Sequence, residues 1–174
     1  GYTLMMAPSG PMVFNAVMFQ KLPYSPVRDF APVGMVASFP LIAVVGSNTP
    51  VKTMRELVEF AKANPAKANY AASTAAFQLT TELFNIQAGI KLENITYKGT
   101  NESLTGVISG DVLTTIADSG PASGAIRGGK VRALAVTSPK RMPAFPEIPT
   151  MAEAGFPQLD VQLWAGLFAP AGTP

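Results

Sequence analysis

Two hydroxyl side chains, Ser73 and Thr74, lie where a short apolar segment gives way to a helical pattern, within residues 70–78. The first backbone N–H groups of a helix have no acceptor inside it, and the helix dipole adds positive potential there. Together with two hydroxyls, such a helix start is suited to binding a carboxylate or another anion. The same residues have a second interpretation, because Ser and Thr are common N-cap residues. The sequence leaves both interpretations open.

Two further segments carry polar groups that could contact a ligand. The turn at residues 7–10 contains Ser9 and Gly10. Ser9 could donate a hydrogen bond to a ligand oxygen, although an ordinary Pro/Ser/Gly turn explains the segment equally well. Asp118 follows an apolar strand, and its carboxylate could hold a ligand amine or hydroxyl, or order a water molecule. It is equally suited to cap the helix that begins at Pro121.

Tyr97, Lys98 and Gly99 end another predicted strand. Strand ends of this kind are where open α/β sheets bind ligands. We nevertheless expect Tyr97 to pack in the protein interior and Lys98 to face solvent. A contact between Lys98 and a ligand charge is the alternative.

Residue types that are absent favour binding over catalysis. The chain contains no His and no Cys, so it lacks the commonest general acid–base group and the commonest transition-metal ligand. An enzyme would have to use Asp, Glu, Lys, Tyr or Ser alone. The sequence therefore predicts a binding protein that needs no metal or organic cofactor. Residues 124–130 have the glycine and lysine spacing of a phosphate-binding loop, but they precede a strand, and Val131 replaces the Ser or Thr that would bind magnesium.

Composition excludes several other classes of protein. Hydrophobic residues make up 48% of the 174 residues and charged residues 14%, which is not the composition of a disordered chain. The 13 basic and 11 acidic residues are scattered, so nucleic-acid binding has little support. Proline and glycine interrupt the uncharged segment at residues 30–51, so we expect buried strands there and no membrane insertion.

Hydrophobic periodicity predicts an α/β fold. Strand and helix patterns alternate from residue 68 onward, which is typical of a mainly parallel sheet with helices on both faces. Strands are predicted at residues 2–7, 68–72, 92–97, 112–117 and 131–136, and two extended segments separated by Pro40 at residues 29–46. Helices are predicted at residues 12–20, 53–63, 76–88, 102–109 and 121–127. Thr53 with Glu56 and Thr150 with Glu153 have the spacing of capping boxes, and Gly155 suits the left-handed end of the second turn.

Several short motifs in a fixed order resemble the Bug/TctC family, the periplasmic solute-binding receptors of tripartite tricarboxylate transporters. The match extends over nearly the whole chain. The motifs are Tyr2-Thr3-Leu4, Lys21-Leu22-Pro23-Tyr24, Glu82-Leu83-Phe84, Tyr97-Lys98-Gly99, Gly128 to Val136, the segment at residues 149–155, and Trp164-Ala165-Gly166-Leu167-Phe168-Ala169-Pro170-Ala171-Gly172-Thr173-Pro174.

The resemblance implies a periplasmic-binding-protein-like fold of type II, with two α/β lobes and a ligand cleft between them. Residues 1–43 and 158–174 would form part of one lobe and residues 44–157 the other. The resemblance also implies that the N-terminal strand-loop-helix and the C-terminal helices of the first lobe are missing, and that a signal peptide has been removed. The expected function is capture of a small organic anion for a membrane permease. The alternatives are an enzyme on the same scaffold, using Asp118 or Lys98, or a ligand-sensing regulatory domain.

By the resemblance, the ligand carboxylate is clamped at the loop containing Ser73. The implied contacts are Ser9, Gly10, Ala72, Ser73, Thr74, Ala75, Phe77, Gln78 and Asp118. The chain departs from the family pattern at this loop, which is about two residues shorter, has no glycine, and carries Phe77 and Gln78 near the usual His position. We therefore expect an aromatic or otherwise apolar carboxylate as the ligand.

Overall fold

The protein is described by a computed structural model that covers residues 3–173. Gly1, Tyr2 and Pro174 lie outside the described residues; Tyr2 belongs to the first predicted strand and Pro174 to the closing motif. The chain divides into two compact units, Gly1–Phe39 with Gln162–Pro174, and Pro40–Val161. Each boundary lies four residues from the lobe boundary that the resemblance implies. The assignment of lobes stays a prediction.

Seven strands and five α-helices are present in the described residues. The strands are β1 (Met5–Pro8), β2 (Phe30–Gly46), β3 (Asn69–Ala72), β4 (Glu93–Thr96), β5 (Thr114–Asp118), β6 (Val131–Val136) and β7 (Gln162–Pro170). The helices are α1 (Asn15–Met18), α2 (Met54–Ala63), α3 (Ala75–Ala88), α4 (Thr100–Ser109) and α5 (Ser119–Arg127). A π-helical turn at Gly10–Phe14 precedes α1, and a 3₁₀ turn at Pro65–Lys67 precedes β3.

The sheet of the second unit has the strand order β6-β2-β5-β3-β4. Strand β3 is parallel to β4 and β5, whereas β2 is antiparallel to β5 and β6. Four of these five strands therefore run in one direction, and the prediction of a mainly parallel α/β sheet is confirmed. The exception is β2, which enters from the first unit and lies between two later strands.

Helices cover both faces of this sheet. Ala71 of β3 packs in a core cluster with Leu104 of α4 and Ala122 of α5. The preceding residue, Tyr70, is fully buried, and its hydroxyl donates a 2.7 Å hydrogen bond to Glu82 of α3. Because adjacent residues of a strand point to opposite faces, α3 and α4 lie on opposite sides of β3.

The first unit has a smaller core. Strand β1 pairs antiparallel with β7, with Ala7 opposite Gly166. Ala7, Met12 and Phe168 are buried together, with Phe30 and Trp164 packed against them. Strand β7 lies between β1 and β2 in the strand order.

Two predictions about this part of the chain are wrong. The helix predicted at residues 12–20 begins instead as the π-helical turn at Gly10–Phe14 and ends at Met18. The two extended segments predicted on either side of Pro40 form the single strand β2. Pro40 is tolerated because pairing with β5 begins one residue later, at Leu41, so its missing N–H removes no bond to β5.

Both predicted capped turns are present. The Thr53 hydroxyl accepts a 3.1 Å bond from the Glu56 N–H at the start of α2. At the second turn, the Thr150 hydroxyl accepts from the Glu153 N–H at 3.1 Å and Glu153 accepts from the Thr150 N–H at 2.8 Å. Gly155 then takes a φ of 97°. Among the described helices, none is both long and apolar enough to cross a membrane.

Candidate functional site

Three loops of the second unit lie at one edge of its sheet. Because β3, β4 and β5 are parallel, their carboxyl ends point the same way. Ser73 and Thr74 follow β3, Thr100 begins the helix after β4, and Asp118 ends β5. Strand β3 pairs with β5 at Ala71↔Thr115 and with β4 at Ala72↔Thr96. When these registers are continued past Ala72, residues 73–74 lie beside the carboxyl ends of both neighbouring strands.

The two hydroxyls after β3 have different roles. Thr74 is the N-cap of α3, and its hydroxyl accepts a 3.3 Å bond from the Phe77 N–H. The Ser73 hydroxyl oxygen is buried and has no hydrogen-bond partner among residues 3–173. The capping interpretation therefore holds for Thr74 but leaves Ser73 unexplained. A buried hydroxyl without a partner costs free energy unless a ligand or water supplies one.

The start of α3 also provides backbone donors. Ala75 and Ala76 are the first two residues of this 14-residue helix, and their N–H groups have no acceptor within it. The dipole of α3 adds positive potential at the same place. Ser73 thus lies beside donors that are suited to an anion.

Asp118 lies half-buried at the end of β5. The Thr100 hydroxyl donates to its carboxylate at 3.5 Å. Although Asp118 occupies the N-cap position of α5, within the described structure its side chain makes no capping bond. Burial raises the pKa of Asp118 above its ordinary value, and the bond from Thr100 opposes that rise.

The Asp118→Asn variant is expected to be more stable than the wild type at neutral pH. The folded-state pKa of Asp118 is raised above 3.8, so the folded protein loses stability as pH rises from 3.8 through the raised pKa. Asn carries no charge and avoids this loss. We expect the melting temperature of the variant to exceed that of the wild type near neutral pH. This difference in melting temperature should disappear below pH 3.8. Thermal unfolding followed by circular dichroism across this range measures it, and a constant difference at all pH values would contradict it.

The other candidates in the second unit differ in exposure. Ala72 and Phe77 are both 3% exposed, and Gln78 is half-buried. Phe77 is therefore buried, and its ring offers little open apolar surface to a ligand. Lys98 is exposed, as expected, and its N–H donates to the Glu102 carboxylate at 3.1 Å.

Ser9 and Gly10 belong to the first unit. Ser9 is buried, and its hydroxyl accepts a 3.4 Å bond from the Trp164 N–H of β7. The turn predicted at residues 7–10 is instead the entry to the π-helical turn, with Ser9 in helical conformation. A ligand role for Ser9 and Gly10 stays a prediction.

Sequence reasoning missed Thr100, which lies beside Asp118. The signal was available, because Thr100 directly follows the glycine that ends the Tyr97-Lys98-Gly99 segment. Its side chain reaches Asp118 although β3 lies between β4 and β5. Only the tertiary structure reveals that contact, because β4 and β5 are not neighbours in the sheet.

Two cavities in the second unit lie away from this edge of the sheet. Their volumes are about 340 and 530 Å³, and Ser73, Thr74 and Asp118 line neither of them. Neither is lined by a buried polar atom that lacks a partner. Over the residues that the structure describes, no group of Asp and Glu side chains could hold a metal ion.

The family model for the tripartite tricarboxylate transporter family receptor, TctC, matches residues 1–174. The chain belongs to this family. Since the family is one of receptors, the prediction of a receptor rather than an enzyme is confirmed.

This TctC-family chain has similar relatives of known sequence and structure. It is 33% identical to protein BugT of Bordetella pertussis, over 99% of the chain and 54% of BugT. The structure of R. palustris Rpa4515 with adipate matches with a TM-score of 0.91 and 32% identity, over 100% of the chain and 59% of Rpa4515. MatC of Rhodopseudomonas palustris with bound malate matches with a TM-score of 0.87 and 29% identity, over 98% of the chain and 59% of MatC.

These matches confirm the periplasmic-binding-protein-like fold. The predicted periplasmic location is that of the relatives, since the solved structure of BugD is that of a periplasmic binding protein. The chain spans about half the length of the curated relatives it matches.

Proposed function

We propose that this chain is part of an extracytoplasmic receptor that captures a small organic carboxylate in the periplasm. The receptor presents its ligand to the membrane permease of a tripartite tricarboxylate-type transporter. The observation that carries the proposal is the buried Ser73 hydroxyl, which lacks a partner among the described residues at the start of α3.

A ligand carboxylate would satisfy the donors at this position. The Ser73 hydroxyl and the N–H groups of Ala75 and Ala76 each need an acceptor, and a carboxylate has two oxygens with several lone pairs. The dipole of α3 favours the negative charge without a cationic side chain. Hydrogen bonds to a charged group contribute more than bonds between neutral groups.

The relatives support the same ligand class. Adipate and malate, bound to Rpa4515 and MatC, are both small organic acids. From these two relatives we infer for this chain only that the ligand carries a carboxylate, and not which acid it is. The remaining proposed contacts are Ala72, Thr74, Phe77, Gln78 and Asp118, with Ser9 and Gly10 from the first unit.

The proposal is tested by a thermal-shift screen of organic acids on the full-length protein. The panel contains adipate, malate and the aromatic acid benzoate. A ligand that binds only the folded state raises the melting temperature by mass action. Benzoate tests the expectation of an aromatic ligand. No shift with any carboxylate would contradict the proposed function.

The Ser73→Ala variant tests where the ligand carboxylate binds. We expect its dissociation constant for an acid found in the screen to rise about tenfold, because the variant loses a hydrogen bond to a charged group. Isothermal titration calorimetry measures the change. The control is Ser109→Ala, which removes a hydroxyl bonded to Asp111 at the far end of α4 and should leave the affinity unchanged. Unchanged affinity in Ser73→Ala would show that the carboxylate binds elsewhere.

A further inference from the structure

The sheet edge that carries Ser73 has hydrogen-bond donors at one position and a negative charge at another. Neutral donors surround the start of α3, whereas β5 ends with the carboxylate of Asp118. The β3–β5 register, continued from Ala71↔Thr115, brings residue 74 level with residue 118. Neighbouring strands lie about 5 Å apart, so an organic acid held at Ser73 extends within reach of Asp118.

Little in the surroundings of Asp118 neutralises its charge. Its one side-chain hydrogen bond within the described residues comes from the neutral Thr100 hydroxyl, at a long 3.5 Å. The causes that change its pKa are burial and this bond, with no contribution from a charged neighbour. Arg127, the nearest cation in sequence, lies at the end of α5 over the Phe145 ring, and Lys98 on the loop after β4 is exposed. Asp118 therefore has unused capacity to accept hydrogen bonds.

This arrangement discriminates between organic acids by the second functional group of the ligand, the one that is not the carboxylate bound at Ser73. A hydroxyl or ammonium group can donate to Asp118 and relieve the cost of its partial burial. A second ionised carboxylate cannot donate, and it is repelled by the like charge in a site of reduced dielectric constant.

We propose that Asp118 determines ligand specificity in this receptor by favouring organic acids that carry a hydrogen-bond donor over acids with a second ionised carboxylate. This inference rests on the proposed function and names the substrate class of the same site. Asp118 acts on specificity, and the Ser73 loop supplies the affinity for the shared carboxylate.

The test compares three probes of one chain length: hexanoate, 6-hydroxyhexanoate and adipate. Titration calorimetry on the full-length protein at about pH 8, well above the ordinary pKa of a carboxyl group, gives their dissociation constants. We expect the wild type to bind 6-hydroxyhexanoate at least tenfold more tightly than adipate. In Asp118→Asn, that ratio should fall at least tenfold, because the amide can donate to the second carboxylate of adipate.

Two controls separate specificity from folding. Asp111→Asn changes an exposed carboxylate before β5, at the opposite edge of the sheet, and should leave the ratio unchanged. Hexanoate lacks the second polar group, so Asp118→Asn should change its affinity less than it changes the affinity of 6-hydroxyhexanoate or adipate. A loss of all three affinities would show that Asp118 supports the fold of the site and would overturn the inference.

The outcomes also separate this inference from the proposed function. If the probes bind and Asp118→Asn leaves the ratio unchanged, the specificity role is wrong and the carboxylate receptor stands. If neither these probes nor any acid of the screen binds, the proposed function fails and the inference fails with it.

Discussion

The Arg132→Met variant is expected to lose about 2–3 kcal/mol of the free energy of unfolding, as hydrogen bonds from a charged donor typically contribute. The Arg132 guanidinium donates to the backbone carbonyls of Ser47, Thr49 and Val51 at 3.2, 3.0 and 2.8 Å. These bonds fix the loop after β2 to β6. Met keeps much of the apolar side chain but provides no donor, so the carbonyls lose their partner.

Urea denaturation measures this loss as a lower transition midpoint at an unchanged m-value. Arg132→Lys should recover only part of the stability, because an ammonium group lacks the forked geometry that reaches several acceptors. The control is Arg55→Met, at an exposed position of α2, which we expect to change the stability by less than about 0.5 kcal/mol. A similar small effect in Arg132→Met would contradict the prediction.

The Gly46→Ala variant is expected to lose about 1–3 kcal/mol, the usual cost of overpacking. A Cβ atom at Gly46 would lie 2.7 Å from the backbone carbonyl oxygen of Val107. Because that oxygen belongs to α4, it cannot move away as a flexible side chain would. The end of β2 and helix α4 must separate to admit the methyl group.

The matched control for this prediction is Gly124→Ala in α5. A Cβ atom there would meet nothing within 4 Å, and Ala is favoured over Gly in a helix by about 1 kcal/mol. The two variants add the same methyl group, yet we expect opposite changes in the midpoint of thermal unfolding. If Gly46→Ala were as stable as the wild type, the approach between β2 and α4 would be looser than described.

Local sequence patterns predicted much of the second unit. Strand β6 has the predicted bounds, and α2 and α3 begin within one residue of theirs. The capping box at Thr150 and Glu153 was also predictable, because both of its hydrogen bonds join residues three apart in the chain. Such features depend on short-range geometry, which the order of residue types encodes directly.

The prediction was poorer where distant segments decide the structure. Pro40 indicated a break, but β2 continues through it because the strand has distant partners: it pairs with β5 and β6 from Leu41 onward, and β7 is its other neighbour in the strand order. The helix predicted at residues 12–20 ends early, although its apolar spacing favoured a longer one. A local pattern contains no information about which partner a strand or helix will find.

The candidate site shows the same division. The sequence by itself determined that Ser73 and Thr74 precede a helix, that Asp118 follows an apolar strand, and that the chain has no His or Cys for chemistry. Only the tertiary structure decided that Thr74 caps α3 while the Ser73 hydroxyl is left buried without a partner among the described residues. It likewise brought Thr100 to Asp118. The reason is physical: burial and side-chain hydrogen bonding depend on how strands are ordered in the sheet, whereas helix starts and strand ends depend on neighbours along the chain.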